Sequence, residues 1–224
     1  MDTIVLTVRD LNDYEKSDFE LQKPVLDKVE EGEVIHWNDF QSKDIKFLVL
    51  DKDTPKQKAL IALVDGEVEG DLIIDGSNNK VRELLIHNCS VSGEIKVFNL
   101  RADKLEVTGS ANNIILDNVV AKQTDFCVEV KESIIVKNIE NSEGDMEING
   151  FAKEVLAVNI NINLLNMKMI DCKRIKGKLV VADKIFVNYT KVDIEFDDLT
   201  ADHFYFKDDS GRGLSHLVNS SLRL

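Results

Sequence analysis

The chain has little of several residue types whose abundance would point to a particular class of protein. Two prolines and eleven glycines in 224 residues exclude collagen-like and proline-rich low-complexity proteins. Aromatic residues make up 6% of the sequence and include a single tryptophan, Trp37. This shortage disfavours a protein that stacks sugar rings on aromatic side chains.

Cysteine and long apolar runs are also scarce. The three cysteines, Cys89, Cys127 and Cys172, are widely spaced, and no Cys/His cluster has the spacing of zinc ligands. No segment approaches the roughly 18 apolar residues of a membrane span, and the N-terminus lacks a basic segment followed by an apolar run. We therefore expect a cytoplasmic protein without metal, cofactor or membrane association.

Basic residues are fewer than acidic ones. The chain carries 41 acidic and 28 basic residues, for a formal net charge of −13. A field of this sign repels phosphate backbones, so direct binding to nucleic acid is not expected.

The sequence repeats one short pattern many times, which we call the phrase. It consists of two apolar residues separated by one other residue, often followed two positions later by Asn, Asp or Gly. Such alternation indicates a strand with one buried face, and Asn, Asp and Gly tolerate the backbone of a bend. The phrase begins at Phe47, Ile61, Leu72, Leu84, Ile95, Leu105, Ile114, Phe126, Ile134, Met146, Val155, Met167 and Ile185. Each phrase therefore predicts a short strand that ends at a corner.

The phrases alternate between two ladders with a step of about twenty residues. One ladder has predicted corners at Gly76, Asn99, Asn118, Asn138 and Asn159. The other has them at Asn88, Gly109, Val130, Gly150, Asp171 and Tyr189. A leucine-rich repeat would have one strand per turn, and an antiparallel barrel would not explain the twenty-residue alternation. The spacing instead predicts an all-β, parallel β-helix (β-solenoid), right-handed by general preference, in which stacked asparagines can bond between turns.

A solenoid exposes its core at both ends unless something caps it. We expect a small α/β cap over residues 1–45, with a strand over residues 3–8, a helix over residues 24–32 and another strand over residues 33–37. The solenoid is predicted over residues 46–208. Residues 209–224 are predicted to form a capping helix or tail, because Leu214, Leu217, Val218 and Leu222 share one helical face.

Two patterns could carry chemistry. Arg174-Ile175-Lys176 is similar to the Arg-Ile-Lys motif of polygalacturonases, which implies a carbohydrate-active β-helix enzyme. The Asn-Thr-Asp and Gly-His-Gly motifs of that family are absent, and Asp197-Asp198 follows the tripeptide, whereas the family's Asp pair precedes it. The acidic run from Asp193 to Asp209 has no EF-hand spacing. We therefore expect no enzyme and no catalytic residue.

One predicted face combines apolar side chains that point outward. If the apolar positions of each phrase point inward, Ile115, Ile135 and Leu156 form an outward row about 10 Å long, flanked by Phe98 and Val158. Stacked exposed hydrophobes suggest a surface for a protein partner or for self-association, or a surface covered by one end of the chain.

These observations favour a non-catalytic interaction or scaffold protein that acts through this face, as a homo-oligomer or with a protein partner. Two alternatives remain: an acidic inhibitor that mimics nucleic acid and binds a DNA-handling enzyme, and a carbohydrate-active β-helix enzyme.

Overall fold

The computed structural model describes residues 4–8, 47–50, 60–64, 67–170, 172–188, 193–207 and 213–223. These residues form one ten-stranded sheet wound into a solenoid. The strands are β1 (Ile4–Val8), β2 (Phe47–Leu50), β3 (Leu60–Val64), β4 (Glu67–Val68), β5 (Leu72–Val91), β6 (Glu94–Phe151), β7 (Glu154–Ile170), β8 (Arg174–Asn188), β9 (Asp193–Lys207) and β10 (Gly213–Arg223). The 58 residues of β6 form one strand because hydrogen bonding continues through the corners.

The register confirms the predicted repeat. Ile134 pairs with Val155, Val155 with Ile175, and Ile175 with Ile194, all in parallel. The intervals are therefore 21, 20 and 19 residues. The protein is a parallel β-solenoid of about six turns with about twenty residues per turn.

The core is formed by the apolar residues of the phrases, which alternate with outward residues along each strand. One inward column becomes progressively smaller, from Val136 through Ala157 to Gly177, and then ends in Phe196. A Cβ atom on Gly177 would lie 2.0 Å from Cδ1 of Phe196. Phe196 therefore fills the space that Gly177 leaves, and it packs edge-to-face on Phe204 with 5.7 Å between ring centroids.

Most predicted corners that lie within the described residues adopt the expected backbone. Asn88, Asn99, Asn118, Asn138 and Asn159 have φ between 52° and 55°, and Gly109 and Gly150 have φ of 126°. These residues accept positive φ at least cost, because Gly lacks Cβ and the Asn side chain bonds locally.

Two corners differ from the prediction. Val130 and Gly76 do not have positive φ; Val130 is a buried core residue within β6. A Cβ atom on Gly76 would lie 2.4 Å from the carbonyl oxygen of Asn99, so this glycine permits a close approach between turns. Asp171 and Tyr189 lie outside the described residues.

At the N-terminal end, the predicted first strand lies within the sheet, between two other strands. The predicted first strand appears as β1, which pairs in parallel with both β2 and β5. The helix predicted over 24–32 and the strand predicted over 33–37 lie outside the described residues, and the domain boundaries stay predictions.

The prediction of a C-terminal helix was wrong. Residues 213–223 form β10, which pairs antiparallel with β9. A strand at this position supplies hydrogen-bond partners to the backbone groups on the edge of β9, whereas a helix would leave them to water. The tail therefore closes the edge of the sheet.

Candidate interaction surface

One flat face of the solenoid includes seven consecutive stacked rungs; β1 and β2 continue the same sheet before the first of them, and part of β10 follows the last. The rungs are the short segments 71–75, 94–98, 113–117, 133–137, 154–158, 174–178 and 193–197. Inward residues of each rung are buried, and the first, third and fifth residues point outward. We call this surface the row face, and number its rungs from one to seven in chain order.

The row face contains all five predicted site residues. Ile115, Ile135 and Leu156 are the central outward residues of rungs three, four and five, and each is partly exposed. The main chains of Ile135 and Leu156 are paired directly in the sheet. Phe98 lies in the neighbouring column with partial exposure, and Val158 is 36% exposed in that same column. The structure therefore places these residues on one face, and their role in binding stays a prediction.

Charged residues border the apolar row along the solenoid axis. On one side, Nζ of Lys96 lies 3.2 Å from a carboxylate oxygen of Asp71 and 2.5 Å from one of Glu94. On the other, Nζ of Lys176 lies 3.6 Å from a carboxylate oxygen of Glu195. The backbone N–H of Glu94 donates to Asp71 and, with Lys96, holds the pKa of that carboxyl below its usual value.

Beside the apolar row, an ion pair links neighbouring rungs. Nζ of Lys137 lies 3.0 Å from a carboxylate oxygen of Asp117. Asn138 donates from Nδ2 to the other oxygen of Asp117 at 2.7 Å. The charged column beside the row is therefore ordered by contacts between turns.

A second surface lies at the asparagine corner, and sequence reasoning missed it. Asn118 donates to Asn99 at 2.8 Å and Asn159 to Asn138 at 3.0 Å, so asparagines bond between turns. Between Asn118 and Asn138, where the ladder was predicted, the side-chain amide of Asn138 donates to Asp117 instead. The next position, Leu179, also has positive φ and is 48% exposed.

An open groove of about 910 Å³ follows this corner. It is lined by the asparagines, Leu179, the 45% exposed Val181 and Asp198, among others. Two steps of about twenty residues onward from Asn159 would have identified residues 179 and 198 as corners. Gly177 concealed the first corner, because the phrase there has glycine in place of its second apolar residue, whereas Ile194, Phe196 and Asp198 fit the phrase in full.

A smaller hollow lies at the glycine corner. It encloses about 400 Å³ and is lined by residues that include Gly109, Gly150, Cys127 and the 39% exposed Phe151. The thiol of Cys127 is exposed, whereas those of Cys89 and Cys172 are buried, and none of the three forms a disulfide. Burial raises the pKa of the Cys172 thiol, which lowers the fraction of the reactive thiolate at neutral pH.

The polygalacturonase-like tripeptide is part of the solenoid lattice. Ile175 is fully buried. Arg174 lies 3.6 Å from Glu154, and Lys176 pairs with Glu195. Each cation therefore has a carboxylate partner on an adjacent turn. Across the part of the chain that the structure describes, no three metal-ligating side chains converge, including those of the acidic run as far as Asp202.

The face that leads to the glycine corner is more polar. His87 accepts or donates a hydrogen bond with Thr108 at 3.2 Å, and lies 3.4 Å from Glu106. Lys168 donates to Glu147 at 2.7 Å. The hydrogen bond from Lys168 is the main reason why the pKa of Glu147 is lowered. These contacts join adjacent turns across an exposed surface.

Comparison with known proteins gives no relative: no family model, curated protein or solved structure matches the chain. The fold itself defines the class, which is a parallel β-solenoid. A search of the described residues for a helix with the length and apolar character of a membrane span found none.

Proposed function

We propose that this protein is a non-catalytic interaction protein that binds a protein partner, or another copy of itself, through the row face. The observation that carries the proposal is the stacking of Ile115, Ile135 and Leu156 as outward residues on consecutive turns. A single exposed hydrophobe is ordinary, whereas a contiguous apolar patch bordered by charge is typical of interaction surfaces.

The energetics of the row favour association. Removing apolar surface from water stabilises a complex by about 25 cal/mol per Å². The backbone beneath these side chains is held on both sides by neighbouring strands, so little conformational entropy is lost on binding. Val158, 36% exposed in the next column, extends the apolar area.

The alternative functions gain no specific observation. Lys96, Lys137 and Lys176 each pair with a carboxylate on the row face. This neutralises the phosphate-like array that a nucleic-acid mimic requires. A glycosidase needs two carboxyl groups facing one cleft. Glu140 and Asp198 both line the open groove at the asparagine corner, but no family model of a glycosidase matches the chain.

The proposal is tested by light scattering after size exclusion, over a range of protein concentrations. The wild type is compared with Ile135→Asp and with Val181→Asp, which places the same charge at an exposed valine outside the row face. We expect Ile135→Asp to reduce association, or the capture of a partner isolated with the wild type, by at least about tenfold. Val181→Asp should leave both unchanged. Equal association and equal capture by all three proteins would contradict the proposal.

A further inference from the structure

The charges of the row face are distributed unevenly along the solenoid axis. Rung one presents Asp71 and Asp75, whereas rung six presents Arg174, Lys176 and Lys178. These two rungs lie five spacings apart, which is about 24 Å at 4.8 Å per strand. They are therefore too far apart to neutralise each other within one chain.

The middle of the face repeats this opposition over a shorter distance. Rung three presents Ile115 and Asp117, and rung four presents Ile135 and Lys137. The first and the fifth residues of the rungs form two outer columns, and the third residues form the central column. If the order of rungs one to six is reversed, most charged positions of the outer columns exchange an acidic residue for a basic one. At the middle of the central column, one apolar residue replaces another. This is the property that a self-complementary two-fold interface requires.

We propose that the occupant of the row face is a second copy of this chain, packed face to face with its solenoid axis reversed. The inference rests on the proposed function, since it specifies the partner for the same surface. The two-fold axis runs parallel to the strands and passes between rungs three and four. Each of rungs one to six then faces a rung of the other copy such that their numbers add up to seven, and rung seven faces β1 of the other copy.

This arrangement places complementary residues opposite each other. Because the axis follows the strand direction, each column of outward residues faces the same column of the second copy. The resulting opposite pairs, each occurring twice, are Asp71 with Arg174, Asp75 with Lys178, Asp117 with Lys137, Ile115 with Ile135, and Phe98 with Val158. Asp71, Asp117, Lys137 and Arg174 also have a charged partner within their own chain, which weakens their contacts across the interface. The charge pairs together favour this register, and the apolar pairs exclude water.

Two pairs in the central column combine a lysine with an apolar residue. Lys96 lies opposite Leu156, and Lys176 lies opposite Ile73. A lysine can cover apolar surface with its aliphatic stem while its ammonium group stays with a carboxylate or water. Lys96 and Lys176 keep their carboxylate partners within their own chain, so these pairs leave no charge without a counter-charge.

One pair in this arrangement has like charge. Glu94 lies opposite Glu154 of the second copy. Each of them already has a cation in its own chain: Lys96 lies 2.5 Å from Glu94, and Arg174 lies 3.6 Å from Glu154. The repulsion is therefore reduced by neutralisation within each chain.

Neighbouring arrangements bring like charges together. Moving the axis to Ile135 sets rung one against rung seven, so that Asp71 and Asp75 face Asp193 and Asp197. A two-fold axis along the solenoid instead exchanges the outer columns, and Asp71 then faces Asp75. Like-charge contacts of this kind act against incorrect registers.

The face is small, which sets the expected strength. Six rungs cover about 24 Å along the axis, and each strand covers about 13 Å. An area of this size lies at the low end for specific complexes, where association is weak. We expect a monomer–dimer equilibrium that depends on protein concentration in the micromolar range or above.

Mixing two charge-reversal variants tests the arrangement. Asp75→Lys alone places two lysines opposite each other in both contacts of the dimer, and Lys178→Glu alone places two carboxylates opposite each other. We expect each variant alone to dimerise at least about tenfold more weakly than the wild type. An equimolar mixture of the two variants forms heterodimers.

This heterodimer has one contact of Asp75 with Lys178 from the unchanged positions, and one in which the introduced lysine faces the introduced glutamate. Both contacts are attractive, so the mixture should return to within about threefold of wild-type affinity.

The measurement is sedimentation equilibrium of the wild type, each variant and the mixture up to about 0.5 mM. Circular dichroism confirms that each variant is folded. A monomeric wild type at the highest concentration would overturn the inference, although a different partner could still bind the row face. A wild-type dimer that Ile135→Asp disrupts, combined with no recovery in the mixture, would overturn this arrangement and leave the proposed function standing.

Discussion

The two corners of the solenoid reverse the chain by different backbone conformations. At the asparagine corner, Asn138 and Asn159 have φ of 54° and 55°, in the left-handed region that L-residues can reach. At the glycine corner, Gly109 and Gly150 have φ of 126°. A Cβ atom on Gly150 would lie 1.9 Å from the carbonyl oxygen of Val128 on the previous turn.

The difference shows which corner positions can accept a side chain. The asparagine corner accepts Leu179 and Asp198 at moderate cost, about 1–2 kcal/mol for an ordinary L-residue. The glycine corner has no room for any side chain at Gly109 or Gly150. Tolerance is therefore set position by position, since Asn88 and the buried Val130 occupy the glycine corner on other turns.

The largest effect is expected at the glycine corner. Gly150→Ala should lower the free energy of unfolding by about 3 kcal/mol or more, because the new Cβ collides with backbone rather than with a movable side chain. Urea unfolding followed by circular dichroism measures this change. A loss below about 1 kcal/mol would show that the two corners are equally tolerant.

A smaller loss is expected at the asparagine corner. Asn138→Ala should cost about 1–2 kcal/mol, because alanine is strained at positive φ and two hydrogen bonds, to Asp117 and from Asn159, are lost. Asn138→Gly is the matched control, since it removes the same bonds without backbone strain. If the two variants were equally stable, strain would make no contribution at this corner.

A gain in stability is expected where the ladder is interrupted. Leu179→Asn should raise the free energy of unfolding by about 1 kcal/mol, because asparagine tolerates positive φ and can bond to Asn159. Thermal unfolding detects this as a higher midpoint. An unchanged or lower midpoint would mean that Leu179 makes stabilising contacts that asparagine cannot replace.

The smallest effect concerns the ion pair on the strand before Gly150. The hydrogen bond from Lys168 lowers the pKa of Glu147 in the folded protein. The pair therefore stabilises the fold above the unfolded pKa of about 4.3 and loses this contribution as the pH falls through the folded pKa. Lys168→Met should cost less than about 1 kcal/mol at pH 6 and nearly nothing at pH 3. A cost that did not change with pH would exclude this pair as its source.

The repeat could be predicted because it depends on local rules. Alternation in residues such as Ile134 and Val136 identifies the buried face, and Asn118 or Asn138 identifies the bend. The register follows from these positions, since a shift by one residue would bury every outward side chain. The regular part of the solenoid was therefore accessible from the sequence.

The remaining features depend on contacts between turns. Gly177 has no apolar side chain of its own, and only the position of Phe196 on the next turn shows why a glycine fits there. Leu179 has no intrinsic preference for a bend, and its conformation is imposed by the stack of asparagines below it. The helical pattern of Leu214, Leu217, Val218 and Leu222 was overridden by the edge of β9.

The row face was predicted from alternation, but its charge complementarity required the register. Ile115, Ile135 and Leu156 follow from counting outward positions. The opposition between Asp75 and Lys178 becomes visible only when the rungs are aligned with each other, because these residues are about a hundred positions apart in the sequence.

The central claim is that the apolar row is a free surface of the folded chain rather than a part of its core. The most direct test compares the urea unfolding of Ile135→Asp with that of Ile134→Asp, which changes the buried neighbour on the same strand. We expect Ile134→Asp to lose about 4 kcal/mol or to fail to fold, and Ile135→Asp to stay within about 1 kcal/mol of the wild-type monomer. A loss at Ile135 as large as that at Ile134 would show that another part of the chain covers the row, and would contradict the account.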